Sequence, residues 1–339
     1  MLIKKNILTS FLLLFIMRCL SQDIHFTQFN YSPLNLNPAQ AGMFDGTHRF
    51  ILNNRTQWRS VTVPYSTSSI SSDMHLNFIK FKQDVFGLGL TVNTDKAGDS
   101  EYGTTQINCS FSAIMPISKA SIHLLSLAIE TGIAQTSINY TKLHFDNQWN
   151  GLKYDPNLST GENFTVNNYF YYDLSFGGSW RYKPKDRFIV NSGIALYHIT
   201  KPKQSLFYNN DIRLNRRISI FGNAEIKCTK EIDILPSLFF EYQKPYKEFL
   251  IGAAGRYIIK EKSKEYTTAL AGIYTRMGDA AMLMLGMEYK KWSITMSYDF
   301  NYSRFVPATK DKGGFEIAII YIINKPKLER IKTTPCPII

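Results

Sequence analysis

The sequence predicts an all-β protein, a transmembrane antiparallel β-barrel of about 14 strands. Three observations lead there: an export leader, period-two alternation along nearly the whole chain, and connections that are long on one side only.

The leader comes first. Lys4 and Lys5 precede an apolar run from Ile7 to Met17, and a short polar exit follows. Cys19 at −3 and Ser21 at −1 form a small-x-small site before Gln22, so residues 1–21 read as a cleaved signal peptide. The run of about ten apolar residues is too short to cross a bilayer as a helix. Arg18 stands where a lipoprotein cysteine at position 19 would want a small neighbour. Removing Lys4, Lys5 and Arg18 lowers the formal charge from +12 to +9. The remaining cysteines, Cys109, Cys228 and Cys336, are odd in number and widely spaced, which is neither a disulfide framework nor metal-ligand spacing. Cys109 and Cys228 fall in strand-like stretches, as buried or lipid-facing thiols.

Aromatic residues make up 14% of the 339, with 20 tyrosines, while 20 glycines and 13 prolines are scattered along the chain. No segment past the leader approaches the roughly 18 consecutive apolar residues of a spanning helix. The mean hydropathy of −0.18 would suit a soluble chain. Barrels, however, mask their hydrophobicity by alternating it. A chain this long also has room for two soluble domains, so periodicity decides.

Alternation recurs throughout. Phe86, Leu88, Leu90 and Val92 alternate with Gly87, Gly89, Thr91 and Asn93. Phe170, Tyr172, Leu174, Phe176, Gly178, Trp180 and Tyr182 alternate with Tyr171, Asp173, Ser175, Gly177, Ser179 and Arg181. Trp292, Ile294, Met296, Tyr298 and Phe300 alternate with Ser293, Thr295, Ser297 and Asp299. An apolar outer face with a polar, glycine-rich inner face is the barrel pattern. The expected strands are 47–57, 66–79, 85–94, 103–116, 122–135, 168–183, 187–198, 215–228, 231–243, 248–260, 265–276, 280–290, 292–302 and 313–323. Most exceed the about 9–11 residues a tilted strand needs to cross a membrane. With both ends in the periplasm, every connection longer than about five residues falls on the external side, as such barrels require. The domain plan is therefore a leader at 1–21, an N-terminal segment at 22–46, a barrel at 47–323 and a periplasmic tail at 324–339.

Charge follows the same plan. Lys80, Lys82, Lys119, Lys183, Lys185, Lys227, Lys230, Lys260, Lys262, Lys264, Lys290 and Lys291 collect on the periplasmic side. Such a rim fits solvated turns and lysines snorkelling to the interface, or an anionic lipid head group, peptidoglycan or an acidic partner. Asp73, Glu130, Asp173, Glu225 and Asp299 are expected in the lumen with Arg55, Arg181 and Arg256, where they pair and stiffen the interior.

Catalytic signals are weak. Gly98-Asp99-Ser100 lies in a polar turn, and no G-x-S-x-G elbow, H-E-x-x-H pair or P-loop is present. The six histidines lack metal-ligand spacing. No enzyme activity, cofactor, metal or nucleic-acid partner is expected, and a porin-like channel or small-molecule transporter is the alternative reading.

The N-terminal segment is the most distinctive part of the sequence. Asp23-Ile24-His25-Phe26-Thr27-Gln28-Phe29 is followed by Leu36-Asn37-Pro38-Ala39-Gln40-Ala41-Gly42, then by Asn53-Asn54-Arg55-Thr56-Gln57-Trp58 and Pro64-Tyr65. Farther on stand Gly193-Ile194-Ala195 with His198, Pro202, Gln204 and Ser205, then Asp299, then Gly313-Gly314-Phe315-Glu316, and finally Cys336-Pro337. In this order the residues resemble the PorP/SprF family of type IX secretion system outer-membrane proteins. Ile24 stands where that family has proline, and the chain ends Pro337-Ile338-Ile339 instead of on a basic-aromatic finish. The resemblance implies a partner protein: an outer-membrane component needed for secretion or surface attachment of type IX cargo. Such cargo, often a large gliding adhesin, carries a C-terminal sorting domain, and periplasmic parts of the gliding apparatus lie nearby. Residues 22–46 are expected either to fold into the lumen as a plug or to hang below as a docking arm. The apolar side chains of Phe26, Phe29, Tyr31 and Leu36, which want burial, favour the plug.

Overall fold

The computed structural model describes residues 23–323 apart from 60–62, 82–83, 118–121, 164–165, 207–211, 263–264, 304–305 and 310. The leader with Cys19, Gln22, and the tail with Cys336 and Pro337 lie outside the described residues. Fourteen strands follow one another: β1 (His48–Gln57), β2 (Tyr65–Phe81), β3 (Asp84–Ala97), β4 (Tyr102–Pro116), β5 (His123–Ser137), β6 (Asn168–Lys185), β7 (Phe188–Tyr197), β8 (Arg217–Lys227), β9 (Ile232–Gln243), β10 (Tyr246–Lys262), β11 (Glu265–Arg276), β12 (Ala280–Tyr289), β13 (Trp292–Asn301) and β14 (Lys312–Ile323). Each pairs antiparallel with its sequence neighbours. β1 also pairs with β14, from His48 opposite Ile323 to Gln57 opposite Gly314, and this seam closes the barrel. Closure leaves no strand edge unpaired, the condition for a sheet to cross lipid.

The expected strands are present with ends shifted by at most three residues. β2 and β10 run to 17 residues each, past the expected stops at 79 and 260. Near these points the ladder is irregular, with a register shift between Leu76 and Phe81 and another between Ile258 and Lys260, and pairing resumes beyond each. The connections 58–64, 98–101, 138–167, 198–216, 244–245, 277–279 and 302–311 share one end of the barrel, here the long-loop end. At the other, the short-turn end, the longest connection is 117–122. Its six residues exceed the expected ceiling of five because β5 begins at His123, one residue late.

Alternation does what it promised on the outer face. Phe50, Leu52, Ile70, Leu90, Phe170, Tyr172 and Phe176 point outward and are exposed, an apolar surface suited to acyl chains. Cys109 faces outward among them. Cys228 lies one residue past β8 in an exposed turn and not within a strand. Aromatic rings gather at the short-turn end, where His123 stacks on Tyr182 at 4.5 Å and Trp292 meets Tyr321 at 4.5 Å. Such rings favour the level of the lipid head groups.

The inner face departs from expectation. It is mostly polar along β1 to β6, with Ile51, Leu76 and Ile114 among the exceptions, but β8 to β12 turn Phe221, Phe239, Leu250, Tyr274, Met282 and Met284 inward. Phe29 and Leu36 of the N-terminal segment complete this apolar cluster. A wall meant for water would leave those side chains wet; here they are covered from inside the lumen.

In such barrels the longer loops are external, so the long-loop end is the one expected to face the cell exterior. In a chain freed of native cysteines, Leu152→Cys in the longest loop should react with a membrane-impermeant maleimide on intact cells. Lys291→Cys should react only after permeabilisation, and the opposite pattern would invert the barrel.

Candidate functional site

The segment before β1 has its own local logic. Pro33 opens a single helical turn (Pro33–Leu36), and Pro38 opens a 3-10 turn (Pro38–Gln40). Proline supplies the fixed φ each turn start needs and prevents a longer helix. Between them Asn37 is extended, and its Oδ1 accepts the Ala39 N–H at 2.9 Å. Gly42, at φ +75°, closes the turn after Gln40, and bends at 44–47 lead into β1.

These turns place the segment among the inward side chains of the strands. Asp23 donates its backbone N–H to Gln243 Oε1 at 3.1 Å, at the long-loop end of β9. Gln28 donates to Ser297 Oγ at 2.9 Å. Asn30 donates to Ser237 and Asn35 to Ser69, at 2.8 and 2.9 Å. The Asn37 amide donates to the carbonyls of Gly178 and Ile194, both at 3.1 Å. Gly42 N–H reaches Asp73 at 2.8 Å, and Asp45 meets Arg181 at 3.1 Å near the short-turn end. The chain thus passes from one end of the barrel interior to the other before β1 begins.

Charge is concentrated where the segment passes. Arg276 donates to Thr27 at 2.6 Å and to Asp299 at 2.9 Å, and Arg55 reaches Asp299 at 3.3 Å and the His25 carbonyl at 2.9 Å. Glu316 accepts the backbone N–H groups of Thr27 and Gln28, each at 2.9 Å. Removing one member of such a buried group leaves its partner uncompensated, at a cost of about 3–5 kcal/mol. A second group, Arg187 and Arg256 on Asp233 with Glu225, lies toward the short turns of β7 to β10. Arg49 and Asp73 pair at 2.8 Å.

Glycines on the wall make room for the backbone inside. A Cβ on Gly87 would stand 2.3 Å from the Ala41 carbonyl oxygen, and one on Gly177 would stand 2.2 Å from Asn37 Oδ1. Gly255 faces outward, where a Cβ meets nothing closer than 3.9 Å. Gly87→Val should therefore cost about 1–3 kcal/mol through overpacking. Its melting midpoint should fall and protease should cut within residues 37–43, while Gly255→Val should behave as wild type.

At the long-loop end Asp23 bonds to His198, which follows β7, and lies 3.2 Å from Arg217. His198 also pairs with Asp173 at 2.7 Å. Burial opposes both charges, yet His198 and Arg217 hold the Asp23 carboxyl down at about 2. Against the same burial, Asp23 and Asp173 push His198 up to about 9. The imidazolium's contribution to stability is complete below its ordinary 6.5 and is lost as pH rises through about 9. That of the Asp23 carboxylate is complete above its ordinary 3.8 and is lost as pH falls through about 2. Thermal melts should show stability declining between pH 7 and 9.5, with a shallower decline in His198→Asn.

The structure brings together His25, Phe26, Gln28, Phe29, Asn37, Pro38, Ala39 and Gly42 with Asn53, Arg55, Asp299 and Glu316 inside the lumen. Phe29 stacks on Phe239 with ring centroids 5.1 Å apart. Gly313 has a different role, since a Cβ there would stand 2.3 Å from the Asp299 carbonyl oxygen of the neighbouring strand. Gly314 pairs with Gln57 at the seam, and Phe315 faces outward. Trp58, in the connection after β1, packs edge-on against Tyr65 at 6.0 Å at the long-loop end, and the Tyr65 hydroxyl donates to Asp95. Pro202, Gln204 and Ser205 lie in the loop after His198, where Gln204 N–H bonds the Ile212 carbonyl. Of the expected lumen charges, Arg55 pairs with Asp299, Arg256 with Glu225 and Arg181 with Asp45, whereas Glu130 accepts from Ser110. Sequence reasoning passed over Arg276, Asp233, Arg187, Arg217 and Glu241. Four of them share the inward phase of their strands, so parity alone would have exposed them; Arg187 sits in a turn and gave no signal.

A closed 14-strand barrel with an apolar exterior and an interior occupied by its own chain defines an outer-membrane-type β-barrel. The sequence matches the family described as type IX secretion system membrane protein PorP/SprF over residues 19–321, and the chain belongs to that family. Among curated proteins none matches it. Similar solved structures include a FadL homologue of Pseudomonas aeruginosa, at 11% identity and TM-score 0.47, covering 84% of this chain and 92% of that one. The Pseudomonas putida toluene transporter TodX follows at 8% and 0.46, with 88% and 94% covered. Omp33 of Acinetobacter baumannii stands at 7% and 0.39, with 82% and 99% covered. Likeness at these levels carries no argument about function.

Proposed function

We propose that this chain is a non-catalytic outer-membrane component of the type IX machinery that supports secretion or surface attachment of cargo bearing a C-terminal sorting domain, such as a large adhesin. Family membership over residues 19–321 is the observation that carries the reading. Two features of the barrel support it. Residues 23–45 are hydrogen-bonded to inward side chains and carbonyls of β2, β6, β9 and β13 and share an apolar cluster with the wall, contacts we read as those of a plug, which suits a binding scaffold better than a conduit. The long loops gather at one end, where 138–167 presents Trp149 and Leu152 to solvent. In this reading the leader is cleaved and the long-loop end faces outward to the cargo. The exposed lysines of the short-turn end, among them Lys185, Lys227, Lys230, Lys260 and Lys291, face the periplasm, where inner-leaflet lipid, peptidoglycan or periplasmic parts of the apparatus would meet them.

Deleting residues 140–165 should abolish surface cargo and capture of its sorting domain while leaving the barrel's melting midpoint within a few degrees of wild type. Intact purified protein should give no steady conductance in planar bilayers. Persistent channels together with undiminished cargo would replace this reading with that of a porin.

A further inference from the structure

We propose that the amino terminus freed by leader removal is itself a ligand of this barrel, its α-ammonium docking in the polar cavity beside Asp23 at the long-loop end. The proposal rests on the reading of residues 1–21 as a cleaved leader.

The cavity has an empty volume of about 350 Å³, counting space open to solvent, and lies among Asp23, Asn93, Asn108, Glu130, Asp173 and Arg217. Its charges do not balance. Three carboxyl groups line it, Asp23, Glu130 and Asp173, against two cations, His198 and Arg217, and Arg217 is shared with Glu241 outside it. Its hydrogen bonds do not balance either. Asp173 Oδ1 and Asn93 Oδ1 are buried with no donor, although Asn93 is only 2% exposed and its Nδ2 is already given to Asn35. The donors left over nearby, Arg217 Nε and His198 Nδ1, each already face a carboxylate at 3.2 and 2.7 Å. What the cavity lacks is one more compact cation with several N–H groups. An ammonium has three donors and no acceptor.

The chain supplies such a group at the right place. The Asp23 nitrogen is pinned to Gln243, and Asp23 itself lines the cavity. Covalent geometry then keeps the nitrogen of residue 22 within about 4 Å of it. While the leader is attached, that nitrogen is a neutral amide. Hydrolysis between Ser21 and Gln22 breaks the C–N bond and adds water, leaving a carboxylate on Ser21 and an ammonium on Gln22, the acid's proton passing to the amine. An α-amine of ordinary pKa, about 7.7–8.0, is mostly charged at neutral pH. Processing therefore creates the cation that the acidic cavity is short of.

The test uses purified full-length mature protein in detergent micelles. Intact mass should show a chain beginning at an uncyclised Gln22. A retained leader or a different cut would sink the leader reading and the proposal with it, whereas a pyroglutamyl terminus, which has no ammonium, would sink the proposal alone. Next, 2-pyridinecarboxaldehyde, which reacts with free α-amines, should label the native protein at least tenfold more slowly than the urea-unfolded chain. Asn93→Leu and Asp173→Asn should each restore fast labelling in the folded state. Equal native and unfolded rates would overturn the docking. Finally, a glycine inserted between Ser21 and Gln22, with the cut kept before it, moves the amine one residue out. It should lower the melting midpoint of wild type but not that of Asp173→Asn, and additive losses would show that the two do not interact.

Discussion

Fourteen strands enclose more space than their own inward side chains fill. Barrels of about eight strands can pack their interiors with side chains, while those of 16–18 hold an aqueous channel. This one lies between, and its interior is occupied by a stretch of its own chain. Much of the structure follows from that constraint. Gly87 and Gly177 give up side chains so that the backbone near Ala41 and Asn37 can approach the wall. The apolar inward faces of β8 to β12 are tolerable only because Phe29 and Leu36 lie on them.

The lumen balances two kinds of interaction, and their division is spatial. On the apolar side, burying Phe29 and Leu36 contributes about 1.5–3 kcal/mol each by area, an upper bound because an unfolded chain is already partly compact. On the polar side, the buried ion pairs add little net stability over an apolar wall, but they penalise every misplacement of the segment. Glu316 illustrates the difference. It accepts two consecutive backbone N–H groups, from Thr27 and Gln28, while Arg276 and Asp299 hold the Thr27 hydroxyl and Ser297 and Thr295 hold the Gln28 amide, so a one-residue slip would break those side-chain bonds. The apolar cluster holds the segment in; the charged groups set its register.

Much of the barrel was legible in the sequence, because alternation and lipid contact are local properties of each strand. Phe170, Tyr172 and Phe176 announce an outer face without reference to any distant residue. The lumen was less legible. Asp299 and Arg55 were placed inside by parity, but nothing local pairs them with each other, since the contact depends on closure between β1 and β14. Phe221 and Met284 point inward against the expectation of a polar face. Their cover comes from Phe29 and Leu36, roughly 185 to 255 residues away along the chain, which no window of alternation can reveal. His198 stood in a recognisable motif, yet its pairing with Asp23 joins the first described residue to a loop that follows the seventh strand.

That dispersion of contacts bears on how the barrel forms. The segment touches β2, β6, β9, β13 and β14, so its binding surface does not exist until nearly all of the wall does. The seam closes between β1 and β14, whose paired residues are more than 250 positions apart, a loop whose entropy must be met before the contacts reward it. The same two strands carry Arg55 and Glu316, which grip residues 25 to 28 from either side of the seam. Closing the wall and seating the segment are therefore coupled: each brings together the groups that the other needs. A wall closed without the segment would leave Phe221 and Met284 wet and Glu316 without the amides of Thr27 and Gln28, and a segment without the wall would have only its short turns. The first described residues and the closed wall thus depend on each other.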